Sequence, residues 1–298
     1  MPVTASDLVA LDEVSWMAAR TAHETRVDAW TRARRARAST GAAHPVEDFL
    51  FTYYSHKPAQ LRRWHPGAGV VLLGSAADER TTWRWHTSVS VAGRDGVTLD
   101  VAAFVHDRGD AVRRSLDLMR ATLERTPQLG CFGLHEWAMV HRLGPGHQRH
   151  EDWPLRLGQQ ATDDVVESHP LRCSHFDAFR FFTPTARPLN VEQPTRETQL
   201  QLEQPGCLHA TMDLYKVAYK LGPAIPSSLT AQCFVLARDV REIDMRASPY
   251  DLSSLGYEPV QVETAAGRAQ YVTAQREFTA RGQALRAQLV EVCEHLLP

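Results

Sequence analysis

Apolar positions recur at helical spacing near the start of the chain. Over residues 5–38, Leu8, Leu11, Val14, Met17 and Ala18 share one face, and Ser6 is placed to cap the helix. The pattern then changes. GVVLLGS (69–75) is a short apolar run, and TTWRWHTSVSVAG (81–93) alternates about Trp83, Trp85 and Thr87, so both read as strands. GVTLDVAAFV fits a third strand or the start of a helix. Residues 108–126 return to helical period, with Leu116, Met119 and Leu123 on one face. GCLHATMDLYKVAYKLGP (206–223) reads as a helix stopped by Gly222-Pro223. Residues 231–245 fit a strand or a helix, and 267–297 form a long amphipathic helix. These elements predict an α+β fold, predominantly helical, with a small β portion near residues 69–105. Long helices at both ends are expected to pack on the middle. No repeat or linker divides residues 1–298, so one domain is expected. Its N-terminal helical and small β region covers 1–130, and a site-bearing region covers 131–298.

Composition narrows the class. The 298 residues are 43% hydrophobic, enough for a sizeable core, and the formal net charge of −2 gives no global basic field for nucleic acid. The basic residues are nearly all arginine; Lys57, Lys216 and Lys220 are the lysines. Arginine suits bidentate contact with carboxylate or phosphate. The five cysteines are scattered without a CxxC, which argues against a disulfide framework or a zinc ribbon. MPVTASDLVALDEV lacks the apolar core of a signal peptide, and no stretch approaches 18 consecutive apolar residues. A reduced, cytoplasmic protein with no membrane partner is the expectation. Phosphate-loop, GxGxxG, GxSxG and CxxCH motifs are absent.

Candidate chemistry gathers between 131 and 216. His135, His141, His147, His150, His169, His175 and His209 are half of the fourteen histidines. In RCSHFDAFRFF, His175 and Asp177 are one half of a two-His-one-carboxylate pattern, and His209 is the natural third ligand for iron or zinc. On a helix, His209 and Asp213 share a face, as a base with its orienting acid or as a structural hydrogen bond. Glu136 sits in the apolar segment GLHEWAMVHR, either as a proton-transfer group or as a partner for arginine in the core. Arg187, Arg196 and Arg246 lie in proline-containing strings that read as walls of a pocket for an anion, or as internal bridges. The aromatic stretch 44–67 and Arg32, Arg34, Arg35 and Arg37 of the first helix read as core and a solvated face, or as contacts to bases and phosphates. Cys173 and Cys207 read as core.

Four strings, LHEWAMVHR, CSHFDAFRFFTPTARPLN, EQPGCLHATMDLYK and DMRASPYDL, resemble a bacterial family of similar length, common in actinobacteria and labelled 3-methyladenine DNA glycosylase. The resemblance implies base-excision DNA repair: a hydrolase that flips an alkylated purine out of DNA and needs no cofactor. Asp177, or else Glu136, would stabilise the oxocarbenium-like sugar, with His209 and Asp213 beside it. Trp137 or Phe179 would stack on the base, and Arg172, Arg180 and Arg187 would hold phosphates, with Arg246 completing the pocket. The alternative is an iron or zinc enzyme acting on a small molecule through His175, Asp177 and His209. A third reading is a non-catalytic protein that binds an anionic ligand.

Overall fold

In the computed structural model, residues 8–144 and 153–297 are described. Ser6, His147 and His150 lie outside them. The fold is predominantly helical, with one small four-stranded sheet.

The first element among the described residues is a strand, β1 (Val9–Leu11), that pairs in parallel with β2 (Val70–Leu73), Val9 opposite Val70. The helical spacing over 5–38 therefore overreaches. The first helix, α1 (Glu13–Thr40), starts where the Asp12 carboxylate accepts from the Ser15 amide at 2.8 Å. Two short helices follow, α2 (Phe49–Tyr53) and α3 (Pro58–Arg62).

The sheet is completed by β3 (His86–Val91) and β4 (Arg94–Leu99), in the order β1-β2-β4-β3, both later pairings antiparallel. Ala92 and Gly93, both at positive φ (50° and 73°), form the tight turn of that hairpin. The first half of 81–93 is not strand. Residues Ser75–Thr82 coil tightly, and Trp85 turns the chain at φ 62° before β3 begins.

Asp100 resolves the ambiguity of GVTLDVAAFV. Its carboxylate accepts from the Ala103 amide at 2.9 Å, so the strand stops at Leu99 and α4 (Val101–Leu123) begins, earlier than the periodicity placed it. The remaining helices are α5 (Leu134–Ala138), α6 (Gly158–Ser168), α7 (Phe176–Phe179), α8 (Gln199–Leu202), α9 (Leu208–Lys220), α10 (Ser227–Arg246) and α11 (Ala265–Leu296). The 231–245 stretch is thus helix.

The core lies where α4, α9, α10 and α11 pack together. Nine of the thirteen residues of α9 are buried, including Met212 and Tyr215, because other helices cover most of its surface. Gly282 lets α11 approach α9: a Cβ there would meet the Thr211 side chain at 3.0 Å. Phe234 of α10 packs edge-on against Tyr215 and tilted against Phe51 and Trp30, and burying its ring contributes about 1.5–3 kcal/mol. Around the sheet, Trp16, Trp64, Leu72, Ala77 and Val97 form a smaller separate cluster. The cysteines are all free, and Cys173 and Cys207 are buried. Among the described residues, no helix is long and apolar enough to cross a membrane.

Candidate functional site

The central helix α9 carries His209, Asp213 and Lys216 along the face turned toward α5, α7 and α10. Its neighbours supply the rest: His135 and Glu136 from α5, His175 and Asp177 from α7 and its cap, and Arg241 and Asp244 from α10.

The short α5 is aimed by two left-handed residues, Phe132 (φ 49°) and Gly133 (φ 73°). Gly133 is needed for its backbone and for space, since a Cβ would press on the Tyr271 ring at 3.2 Å. This turn drives His135 into the core, where its Nε2 lies 3.0 Å from Asp244 Oδ1. Both atoms are buried, yet they are not aligned as a hydrogen bond and find no other partner. The His209 ring stands edge-on to His135, centroids 4.5 Å apart. One ligand atom from each of His135, His209 and Asp244 falls within 4.8 Å of the others. Ligands about 2.0–2.1 Å from a tetrahedral ion stand roughly 3.3 Å apart, so a small closing of this group would let the three share an ion. Two imidazoles and one carboxylate suit iron or zinc and leave positions open.

Asp244 is held from behind. Its other oxygen accepts from Arg241 at 3.1 Å, and the same guanidinium nitrogen donates to Glu136 Oε1 at 3.0 Å. Arg241 is itself buried and lies over the Phe49 ring. Glu136 is thereby oriented beside the two histidines. Burial together with the neighbouring His135 pushes the His209 imidazole well below its ordinary pKa, which keeps its nitrogens free of a second proton.

A second charged group adjoins the first through stacked rings, His175 on His209, centroids 5.3 Å apart. His175 Nε2 is 3.5 Å from Asp213 Oδ2 and 3.6 Å from Glu203 Oε2. Asp213 accepts from Tyr54 Oη at 2.8 Å and from Lys216 Nζ at 2.9 Å, and Lys216 also donates to Asp177 Oδ2 at 2.9 Å. Burial alone would raise the Asp213 carboxyl, but His175 and Lys216 outweigh it and hold it well below the usual range. Lys216 is raised for the converse reason: desolvation pulls it down and two carboxylates more than restore it. Burial, then Asp213 and Asp177, push the Tyr53 phenol up to about 12.

His209, Asp213 and Glu136 thus come together as a group, with Asp177 at its edge. His175 and Asp177, two apart in sequence, diverge. His175 is the extended residue that caps α7 and points inward, fully buried, while Asp177 in the first turn faces Lys216 and Arg180. His175, Asp177 and His209 thus do not form a compact ligand group, whereas His135, His209 and Asp244 do.

Trp137 is fully buried and donates to the Ala247 carbonyl at 2.8 Å; Phe179 is buried against Phe182. Arg180 and Arg187 are exposed near Asp177, Arg187 donating to the Arg180 carbonyl. Arg172 is exposed and packs near Gly130, and Arg196 lies over Phe176. Arg246 is turned to the Glu258 carbonyl and Glu242. Asp244, Glu203 and Tyr54 were not anticipated. The one signal for Asp244 was its i, i+3 spacing from Arg241, which is common on solvated helices as well.

Two openings reach this group. A slit of about 10 Å³ is bounded by His209, Glu136, Asp177, Tyr53 and Phe181, room for a single water. A groove of about 590 Å³ runs past Asp177, Asp213, Glu203, Lys216, Arg196 and Arg286. Asp177 lines both. Comparison with known proteins gives no matching family model, no matching curated protein and no matching solved structure.

Proposed function

We propose that the protein is a metal-dependent enzyme, with iron or zinc held by His135, His209 and Asp244, that acts on a small molecule. The observation that carries this reading is the pair His135 Nε2 and Asp244 Oδ1. They are 3.0 Å apart in the buried core, paired by distance but not aligned as a hydrogen bond. An ion between the two atoms would coordinate both.

An ion held by His135, His209 and Asp244 would supply a Lewis acid behind His209, which lines the slit. Glu136, fixed by Arg241, is placed to take a proton from a water or substrate group there. Asp177 and Lys216 stand where the slit meets the groove, and Lys216, Arg196 and Arg286 favour a substrate with an anionic group. Elemental analysis of tag-free protein tests the proposal. Near-stoichiometric iron or zinc, lost in both His209→Ala and Asp244→Asn, is the expected result. A wild-type protein that takes up neither Fe(II) nor Zn(II) refutes it.

The glycosylase reading keeps one observation in its favour. Arg180 and Arg187 are exposed beside Asp177, where a phosphate backbone would pass. Under it, a flipped base would meet Tyr53 and Phe181 at the slit, because Trp137 and Phe179 are buried. Release of free base from alkylated DNA by metal-stripped protein would favour this reading over the first.

A further inference from the structure

We propose a second binding site, for a phosphate or phosphoester group, in the cavity that Arg20, Arg63 and Arg80 share at the sheet end of the molecule. The cavity measures about 220 Å³, and none of its lining residues borders the slit or the groove.

Arg80 is its floor. The side chain is 1% exposed and is walled by indoles, its guanidinium carbon 4.5 Å from the Trp83 ring centroid, 5.4 Å from that of Trp64 and 5.8 Å from that of Trp16. One nitrogen donates to the Trp64 carbonyl at 3.2 Å. The other terminal nitrogen is buried with no acceptor, and among the described residues Arg80 forms no ion pair. Arg20 repeats the pattern: it leans on the same Trp16 ring, and its Nε is buried without a hydrogen-bond acceptor. Arg63 lies over Trp83 from the outside, exposed and without an ion-pair partner among the described residues.

The acids on this wall pair weakly with Arg20 and, among the described residues, not with Arg63 or Arg80. Glu24 is taken by Arg62 at 3.0 Å and is 4.0 Å from Arg20; Glu79 is exposed at the rim. A buried guanidinium normally sits against a carboxylate. Here Arg20, Arg63 and Arg80 line an open cavity among aromatic faces, with unbonded N–H donors of Arg20 and Arg80 buried in its wall, which is the chemistry of an oxyanion receptor. Trp83 and Arg63 also line a neighbouring cavity of about 440 Å³ with Trp85, His65, His86 and Tyr219. A phosphoester could extend its organic part there.

Titration of the full-length protein tests the site, following tryptophan fluorescence and melting temperature. The probes are inorganic phosphate and a nucleoside monophosphate, with sodium chloride of matched ionic strength as control. Saturable quenching and a raised melting temperature are expected with phosphate. Tighter binding of the monophosphate would identify a phosphoester, and equal binding would identify free phosphate. Arg63→Gln, an exposed change that spares the fold, should weaken binding about tenfold or more. Arg80→Met should abolish it. Responses no larger than those to sodium chloride, or unchanged affinity in Arg63→Gln, would overturn the proposal.

Discussion

Buried charge is handled in two ways in this molecule. Between α5, α9 and α10, the cations face carboxylates: buried Arg241 is matched by Glu136 and Asp244, and partly exposed Lys216 by Asp213 and Asp177. At the sheet end, Arg80 is just as buried but is faced by three tryptophans and a carbonyl. In the first region, desolvation is offset from within the chain. In the second, the internal offset is aromatic rings and one carbonyl, and the rest is left to whatever enters the cavity. The first arrangement positions groups for chemistry; the second leaves donors idle for a ligand.

Substitution can break this contrast. Arg241→Met strands Glu136 and Asp244 in the core and should cost about 3–5 kcal/mol in chemical denaturation. Lys216→Met should cost about 1–3 kcal/mol at neutral pH, because two carboxylates lose a charged donor. It should also change the acid response. The folded Asp213 carboxyl lies below its unfolded value of 3.8, so its contribution is present above that pH and fades as pH falls through the lower folded value. Without Lys216 the folded value rises toward 3.8, that contribution shrinks, and acid unfolding followed by circular dichroism should begin at higher pH.

Arg80→Met should be milder than Arg241→Met, about 1–2 kcal/mol in phosphate-free buffer, since it leaves no charge unpaired. A loss as large as that of Arg241→Met would erase the contrast between the two regions. Arg35→Ala sets the floor: its bridge to Asp28 is exposed, and the change should cost under about 1 kcal/mol.

Much of the fold was legible along the chain. The apolar run at 69–75, the helical period of 206–223 and 267–297, and the mainly helical balance all reappear. The errors fall where local pattern conflicts with pairing or with a cap. Val9–Leu11 follow helical spacing, yet they become strand because β2 offers a parallel partner. The candidate site was half legible. His209, Asp213 and Glu136 gather as their positions suggested, but the HxD spacing misled: His175 caps a helix and turns in, while Asp177 turns out to Lys216.

Local chemistry along the chain sets where several helices start. Asp12, Asp100 and Thr264 each place a side-chain acceptor over free amides at a helix start, a contact made within three residues. Which charges meet depends on long-range packing. His135, His209 and Asp244 come from three helices, and no spacing along the chain encodes their common point. That point exists because Gly133 turns α5 inward and because α10 lies along α9, placing Asp244 opposite His135. Likewise nothing in the string around Arg80 announces a cation without a carboxylate. That follows from the packing of Trp16, Trp64 and Trp83 about it, a long-range fact of the folded chain.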